Sequence, residues 1–155
     1  VASSARVTAL RMLAQRRLTE AQLHARLARK GFDEASVEAA VASCRRDGLL
    51  DDALYATLYV ESKRAPVGDA RLVGELVKRG IDRDAARARV AASEVPEHER
   101  AVTAYDKMRR AQPALSYQSA ARKLERLGFP ASTIYRVLRE RAGSELAGAL
   151  GADLL

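Results

Sequence analysis

Apolar residues along this chain recur at spacings of three and four, and one arrangement of them occurs three times. The first copy is Leu23, Leu27, Gly31 and Phe32; the second is Leu72, Leu76, Gly80 and Ile81; the third is Ala120, Leu124, Gly128 and Phe129. In each, two apolar positions four apart lead to a glycine four further on, and a bulky apolar residue follows it. The register continues past the glycine at Val37 and Val41, at Ala86 and Val90, and at Ile134 and Leu138. A helix-starting residue stands twelve positions before each glycine, at Thr19, Gly68 and Ser116. The periods are 49 and 48 residues. A repeat that holds register over several independent positions outranks local propensity as a guide to architecture.

Spacing by four places the apolar positions on one stripe of an α-helix. The glycine fits the position just past a helix end, where the chain passes through the left-handed region without a Cβ penalty. Arg29-Lys30 and Lys78-Arg79 stand at the negative end of the helix dipole. Asp33 and Asp82 are good caps for a following helix, and Pro130 suits a first turn. A third helix precedes each pair: residues 9–14, 53–60 and 101–108. The pattern therefore predicts an all-α protein of three tandem three-helix repeats stacked in an elongated array. The expected boundaries are 1–49, 50–95 and 96–143, with a tail at 144–155.

The joints are legible too. Residues Val1 to Ala5 are small and polar and are expected to fray. Thr19-Glu20-Ala21-Gln22 has the form of a capping box, and the third helix should run from Glu34 to Arg46. In Asp47-Gly48-Leu49-Leu50-Asp51-Asp52, Gly48 stops a helix, both leucines tuck in and the aspartates cap the next helix. Residues 65–68 and 93–97 are the later breaks. Beyond Arg141 the chain turns to Gly, Ala, Leu and Ser, consistent with either a short helix from Ser144 to Leu150 or a mobile tail.

Composition narrows the function. Only 5% of the residues are aromatic, so the cores are thin. No apolar run approaches the roughly 20 residues that span a bilayer. No secretory signal is expected from these residues, although the chain begins at Val1 without Met, which leaves room for an upstream stretch, and a cytoplasmic home is expected. The single cysteine, Cys44, lies three residues after Val41 on an apolar stripe and is expected to be buried. His24 and His98 lack partners at ligand spacing, so no metal is expected, and Asp51 and Asp52 read as caps rather than ligands. No phosphate-binding glycine loop and no nucleophile signature appears, so neither cofactor nor catalysis is expected. The chain reads as a binding protein.

A net charge of +7 and a pI near 10.0 favour an anionic partner. The basic excess is two, three and two over residues 1–52, 53–110 and 111–155, so it is spread along the array. Helix-turn-helix recognition would use the second helix of each pair, here 34–46, 83–91 or 131–141, the last carrying Arg136, Arg139 and Arg141. None carries at its start the Asn, Gln or Arg cluster that reads base edges, so phosphate contact fits better than sequence reading. Tyr55, Tyr59, Tyr105, Tyr117 and Tyr135 are the aromatics available to stack on single-stranded bases, but helical spacing assigns most of them to the core or its margin.

Taken together, four segments resemble the RecX family of bacterial RecA regulators. They are Ala9-Leu10, Leu13-Ala14 and Arg16 with Thr19, Leu23, Leu27 and Lys30-Gly31-Phe32; Gly48-Leu49-Leu50-Asp51-Asp52 with Tyr55-Ala56 and Tyr59-Val60; Gly68, Arg71-Leu72, Glu75-Leu76 and Arg79-Gly80-Ile81; and Leu124, Gly128-Phe129, Ile134 and Leu138. The resemblance covers roughly residues 8 to 141. It implies a curved three-unit helical protein that binds in the groove of the RecA–DNA filament. There it would suppress ATP hydrolysis, strand exchange and co-protease activity without being an enzyme. Two departures stand out: Ala120 replaces a larger apolar residue, and Leu127 stands where the other copies carry Arg or Lys. The third unit is therefore expected to pack or contact its partner differently.

Charge density and central position single out Lys63, Arg64, Arg71, Lys78 and Arg79 as first contact candidates, with Arg136, Arg139 and Arg141 on the last helix. The expected partners are the RecA filament and single- or double-stranded DNA, met by a monomer. Two other readings stand beside this one: a non-sequence-specific DNA-binding protein acting without RecA, and a helical-repeat adaptor that takes a partner helix in an apolar groove.

Overall fold

The computed structural model describes residues 4–62 and 66–153. Among the described residues there are nine helices and no strand: α1 (Ala5–Gln15), α2 (Glu20–Arg29), α3 (Glu34–Arg46), α4 (Asp52–Ser62), α5 (Asp69–Lys78), α6 (Arg83–Ala91), α7 (Glu97–Ala111), α8 (Tyr117–Arg126) and α9 (Ala131–Asp153). None of them is long and apolar enough to cross a membrane. The chain divides into two compact units, Val1–Ser62 with Val73–Arg89, and Lys63–Leu72 with Val90–Leu155, so the division falls inside α5 and again inside α6.

The predicted stripe is the core. Leu23, Leu27, Val37 and Val41 join Ala5, Ala9, Leu18, Ala40, Cys44 and Leu50 in the first unit, with Met12, Leu13 and Phe32 packed on the margin. In the second unit Ala120, Leu124, Phe129 and Ile134 close on Ala101, Ala104 and Tyr105 of α7; the buried place on α9 expected for Leu138 is taken by Val137, and Leu138 packs on the margin. Leu72, Leu76, Ile81, Ala86 and Val90 are buried as well. α1 begins at Ala5 under a Ser4 cap, so ordered structure starts earlier than its small polar residues suggest.

Helix ends follow from local chemistry. Thr19 and Gln22 form the reciprocal capping box at the start of α2, and Asp33, Asp82 and Ser116 accept backbone N–H groups at the starts of α3, α6 and α8. Gly31, Gly80 and Gly128 all have positive φ. After Gly80 and Gly128 the N–H of Ile81 and of Phe129 returns to the carbonyls of Leu76 and Leu124, at 3.1 and 3.2 Å, which folds the bulky residue onto the last turn. Pro130 stands one place before α9, where its carbonyl accepts the Ile134 N–H.

Two expectations need correction. Leu50 is buried, but Leu49 remains 47% exposed, because the Gly48 turn admits only one of the two leucines to the core. The tail forms no separate short helix: α9 runs unbroken from Ala131 through Asp153.

Candidate partner-binding surface

The expected contact residues fall in very different surroundings. Lys63 and Arg64 lie outside the described residues. Arg71 is exposed and its guanidinium donates to the Arg126 carbonyl at 3.4 Å. Lys78 is exposed on the last turn of α5. Arg79 is drawn into the fold. Its guanidinium lies 4.4 Å from the Tyr59 ring centre and donates to the Glu75 carbonyl at 3.1 Å. Tyr59 in turn stacks against Tyr55, with 6.5 Å between ring centres, and donates to Glu75. Burial, reinforced by that bond to Glu75, pushes the Tyr59 phenol up to about 12. Arg79 is thus held as a structural cation over an aromatic face.

On α9 the three arginines separate. Arg141 is half-buried and paired with Asp106 of α7 at 2.7 Å, so it braces two helices. Arg136 is exposed and reaches Glu140 one turn on at 3.2 Å, while His98 also meets Glu140, at 3.1 Å. Arg139 is exposed and makes no hydrogen bond or ion pair with the described residues. Arg136, Arg139, Glu140 and Gly143 line a shallow cleft of about 440 Å³ together with Tyr135.

Tyr135 is the residue the sequence argument undervalued, for it is 67% exposed. Its neighbours Ile134 and Val137 are buried, and a residue one step from Ile134 is rotated about 100° away from the core stripe. Helical geometry alone could have placed it outside. Tyr105, by contrast, is 1% exposed and belongs to the core. The cleft offers a flat aromatic face beside two guanidinium groups, a combination suited to an anionic or base-bearing partner.

Among the described residues no cluster of His, Cys, Asp or Glu could hold a metal ion. Cys44 is buried and unpaired with any other cysteine, and burial pushes its thiol above the ordinary range. The histidines each face a single carboxylate, His24 on Glu34 and His98 on Glu140. Among the described residues the features that remain are surfaces: cationic side chains, the exposed rings of Tyr117 and Tyr135, and shallow clefts. Fold and surface together define an all-helical repeat protein equipped for macromolecular contact.

Comparison with known proteins makes the class specific. Residues 5–44 match the family model described as RecX, first three-helix domain. The chain is 34% identical over 150 residues to the regulatory protein RecX of Thermobifida fusca, an alignment covering 91% of this chain and 80% of the relative. It is also 34% identical to those of Amycolatopsis mediterranei, over 83% of this chain and 78% of that protein, and Thermus thermophilus, over 83% and 85%. The chain belongs to the RecX family of regulatory proteins. The crystal structure of RecX from Lactobacillus salivarius shares the fold, with a TM-score of 0.75 at 22% identity, across 88% of this chain and 93% of that one.

Proposed function

We propose that this chain is a negative regulator of the RecA recombinase. In this reading it binds the RecA–DNA filament and suppresses ATP hydrolysis, strand exchange and co-protease activity by occupancy rather than chemistry, in the cytoplasm where such filaments form. The observation that carries the reading is the match to the RecX relatives along nearly the whole chain. The distributed positive charge supports it, because a long anionic filament can be met at intervals. We read residues 1–49, 50–95 and 96–143 as the three repeats that make those contacts, followed by the tail at 144–155.

Of the candidate cations, Arg71, Lys78, Arg136 and Arg139 are exposed to a partner, whereas Arg79 and Arg141 serve the fold; Lys63 and Arg64 remain candidates on charge alone. The test is RecA's single-stranded-DNA-dependent ATPase rate with this protein added below the RecA concentration. The rate should fall, and Arg136→Ala with Arg139→Ala should raise the concentration needed by about tenfold, equivalent to ~1.4 kcal/mol. An unchanged rate would sink the reading. Inhibition that the double variant leaves intact would sink only the choice of surface.

One observation favours a second reading, direct DNA binding without RecA: the exposed Tyr135 ring beside Arg136 and Arg139. Binding to bare DNA would then weaken by about 0.9 log unit per log unit of salt for each duplex phosphate neutralised. Under this reading the RecA ATPase would not respond.

A further inference from the structure

Three side chains that touch one another in the second repeat are all changed in the third. In the second, Tyr59 of α4 donates its hydroxyl to Glu75 of α5, while the Arg79 guanidinium lies over the Tyr59 ring and donates to the Glu75 carbonyl. A ring, a carboxylate and a cation thus close on one another, and their charges cancel. One period of 48 residues further on, Lys107 stands for Tyr59, Lys123 for Glu75 and Leu127 for Arg79. The ring and the carboxylate have both become lysines, and the cation has become a leucine. No such triad can form there, because two ammonium groups repel and leucine has no charge to lay on a ring.

What the third repeat has at these positions is an open cleft of about 430 Å³. Ala104, Lys107, Met108 and Ala111 of α7 bound it on one side, and Lys123 and Leu127, at the end of α8, on the other. Met108 and Leu127 are half-buried on the margin of the core and give the cleft an apolar floor. No acidic residue lines it. Lys107 is exposed and makes no hydrogen bond or ion pair with the described residues. Lys123 donates to the neutral side-chain oxygen of Gln112 at 2.9 Å, so its charge is not cancelled there. Every one of these residues belongs to the second unit.

We propose that this cleft docks a short acidic segment of a partner protein, one that carries an aromatic residue beside its carboxylates. The second repeat displays the occupant's chemistry, since there the chain supplies both ring and carboxylate itself. In the third repeat the partner's ring lies on Met108 and Leu127, where a soft thioether and methyl groups adapt to an aromatic face. The partner's carboxylates pair with Lys107 and Lys123 at the rim. Ring burial supplies the hold, and the two ammonium groups select what flanks the ring. Nucleic acid suits the cleft less well. Phosphates would find the lysines, but the floor holds no aromatic ring or guanidinium plane for a base to stack on. The site goes beyond the regulator reading and does not depend on it.

The chain has two methionines, Met108 in the cleft and Met12 on the margin of the first unit's core. Labelling their methyl groups therefore gives NMR one probe at the site and one control in the other unit. A synthetic peptide with one phenylalanine among glutamates, titrated to about 1 mM, should shift the Met108 signal and leave Met12 in place. Added salt should weaken the response. The same peptide with alanine for phenylalanine should bind at least about tenfold more weakly. Lys107→Glu, at an exposed position, should weaken binding by about tenfold, since it turns an attraction into a repulsion. Lys107→Tyr, Lys123→Glu and Leu127→Arg made together rebuild the second repeat's triad and should abolish the response. A Met108 signal that ignores the peptide, or moves equally for the alanine peptide, would overturn the proposal. So would one that moves instead for single-stranded oligothymidylate, a Met12 signal that moves as far, or a Lys107→Glu chain that binds like the wild type. No RecA enters the measurement, so its failure would leave the ATPase test of the regulator reading untouched.

Discussion

Gly31, Gly80 and Gly128 adopt nearly one backbone geometry, with φ of 96°, 91° and 90°, but only the first stands in open space. At Gly31 alanine meets only the left-handed strain of an L-residue, about 1–2 kcal/mol. At Gly80 the added methyl also collides with the Ala21 side chain, and the surrounding helices must shift to accept it. Overpacking of that kind adds a further ~1–3 kcal/mol. Urea denaturation should therefore rank Gly80→Ala clearly below Gly31→Ala in stability. Equal losses would mean that the close approach in the first unit is not tight in solution. The positive φ of all three glycines was legible from their spacing and the basic residues before two of them. The close approach was not, because the colliding partner of Gly80 lies 59 positions earlier in the chain.

At the scale of the element, the carboxylate that starts one helix also caps another. Asp51 caps α4 through the Leu54 N–H, while Asp52, the next residue, accepts the Glu20 N–H at the start of α2. Reading both aspartates as caps was right in chemistry but named only the helix they begin, since a bond across 32 residues leaves no trace in local spacing. Burial pushes the Asp52 carboxyl above its usual range, partly countered by the bond from the Glu20 backbone. A raised folded-state pKa gives stability that is complete below the unfolded value and is lost as pH rises through the folded one. The stability of wild type relative to Asp52→Asn should accordingly fall as pH rises above the ordinary aspartate value of about 3.9. Asp52→Ala, which removes the acceptor, should cost about 1 kcal/mol at neutral pH. Thermal denaturation of both variants across this range tests the sign; a difference that grows with pH would refute it. Arg79 teaches the same lesson. Its charge was visible, but the Tyr59 ring that captures it stands on another helix, 20 positions away.

For the molecule as a whole, the telling contrast is how the repeats end. α3 and α6 stop at Arg46 and Ala91 and hand the chain to another helix, whereas α9 continues to Asp153. Three glycines at 143, 148 and 151 argue against such a helix, each costing about 1 kcal/mol relative to alanine, and this is why the sequence left the tail undecided. Tertiary contact supplies part of what propensity lacks. Glu145, just past the end of the last repeat, accepts the Tyr105 hydroxyl at 3.3 Å, the Tyr117 hydroxyl, and the Arg109 guanidinium at 3.4 Å. One carboxylate thereby ties the extension to α7 and to the start of α8. The bond to Glu145 helps hold the Tyr117 phenol above its ordinary value, and burial does the larger part at Tyr105. Both bonds stand partly in water, so Glu145→Ala should cost only about 1 kcal/mol. The informative measurement is where that loss appears. Amide hydrogen exchange should speed up along residues 144–153 and at the start of α8, while α1, α2 and α3 keep wild-type protection. Protection lost evenly through all nine helices would mean that Glu145 supports a single cooperative structure rather than the end of one unit. Unchanged exchange in the extension would mean that its helix does not depend on this carboxylate.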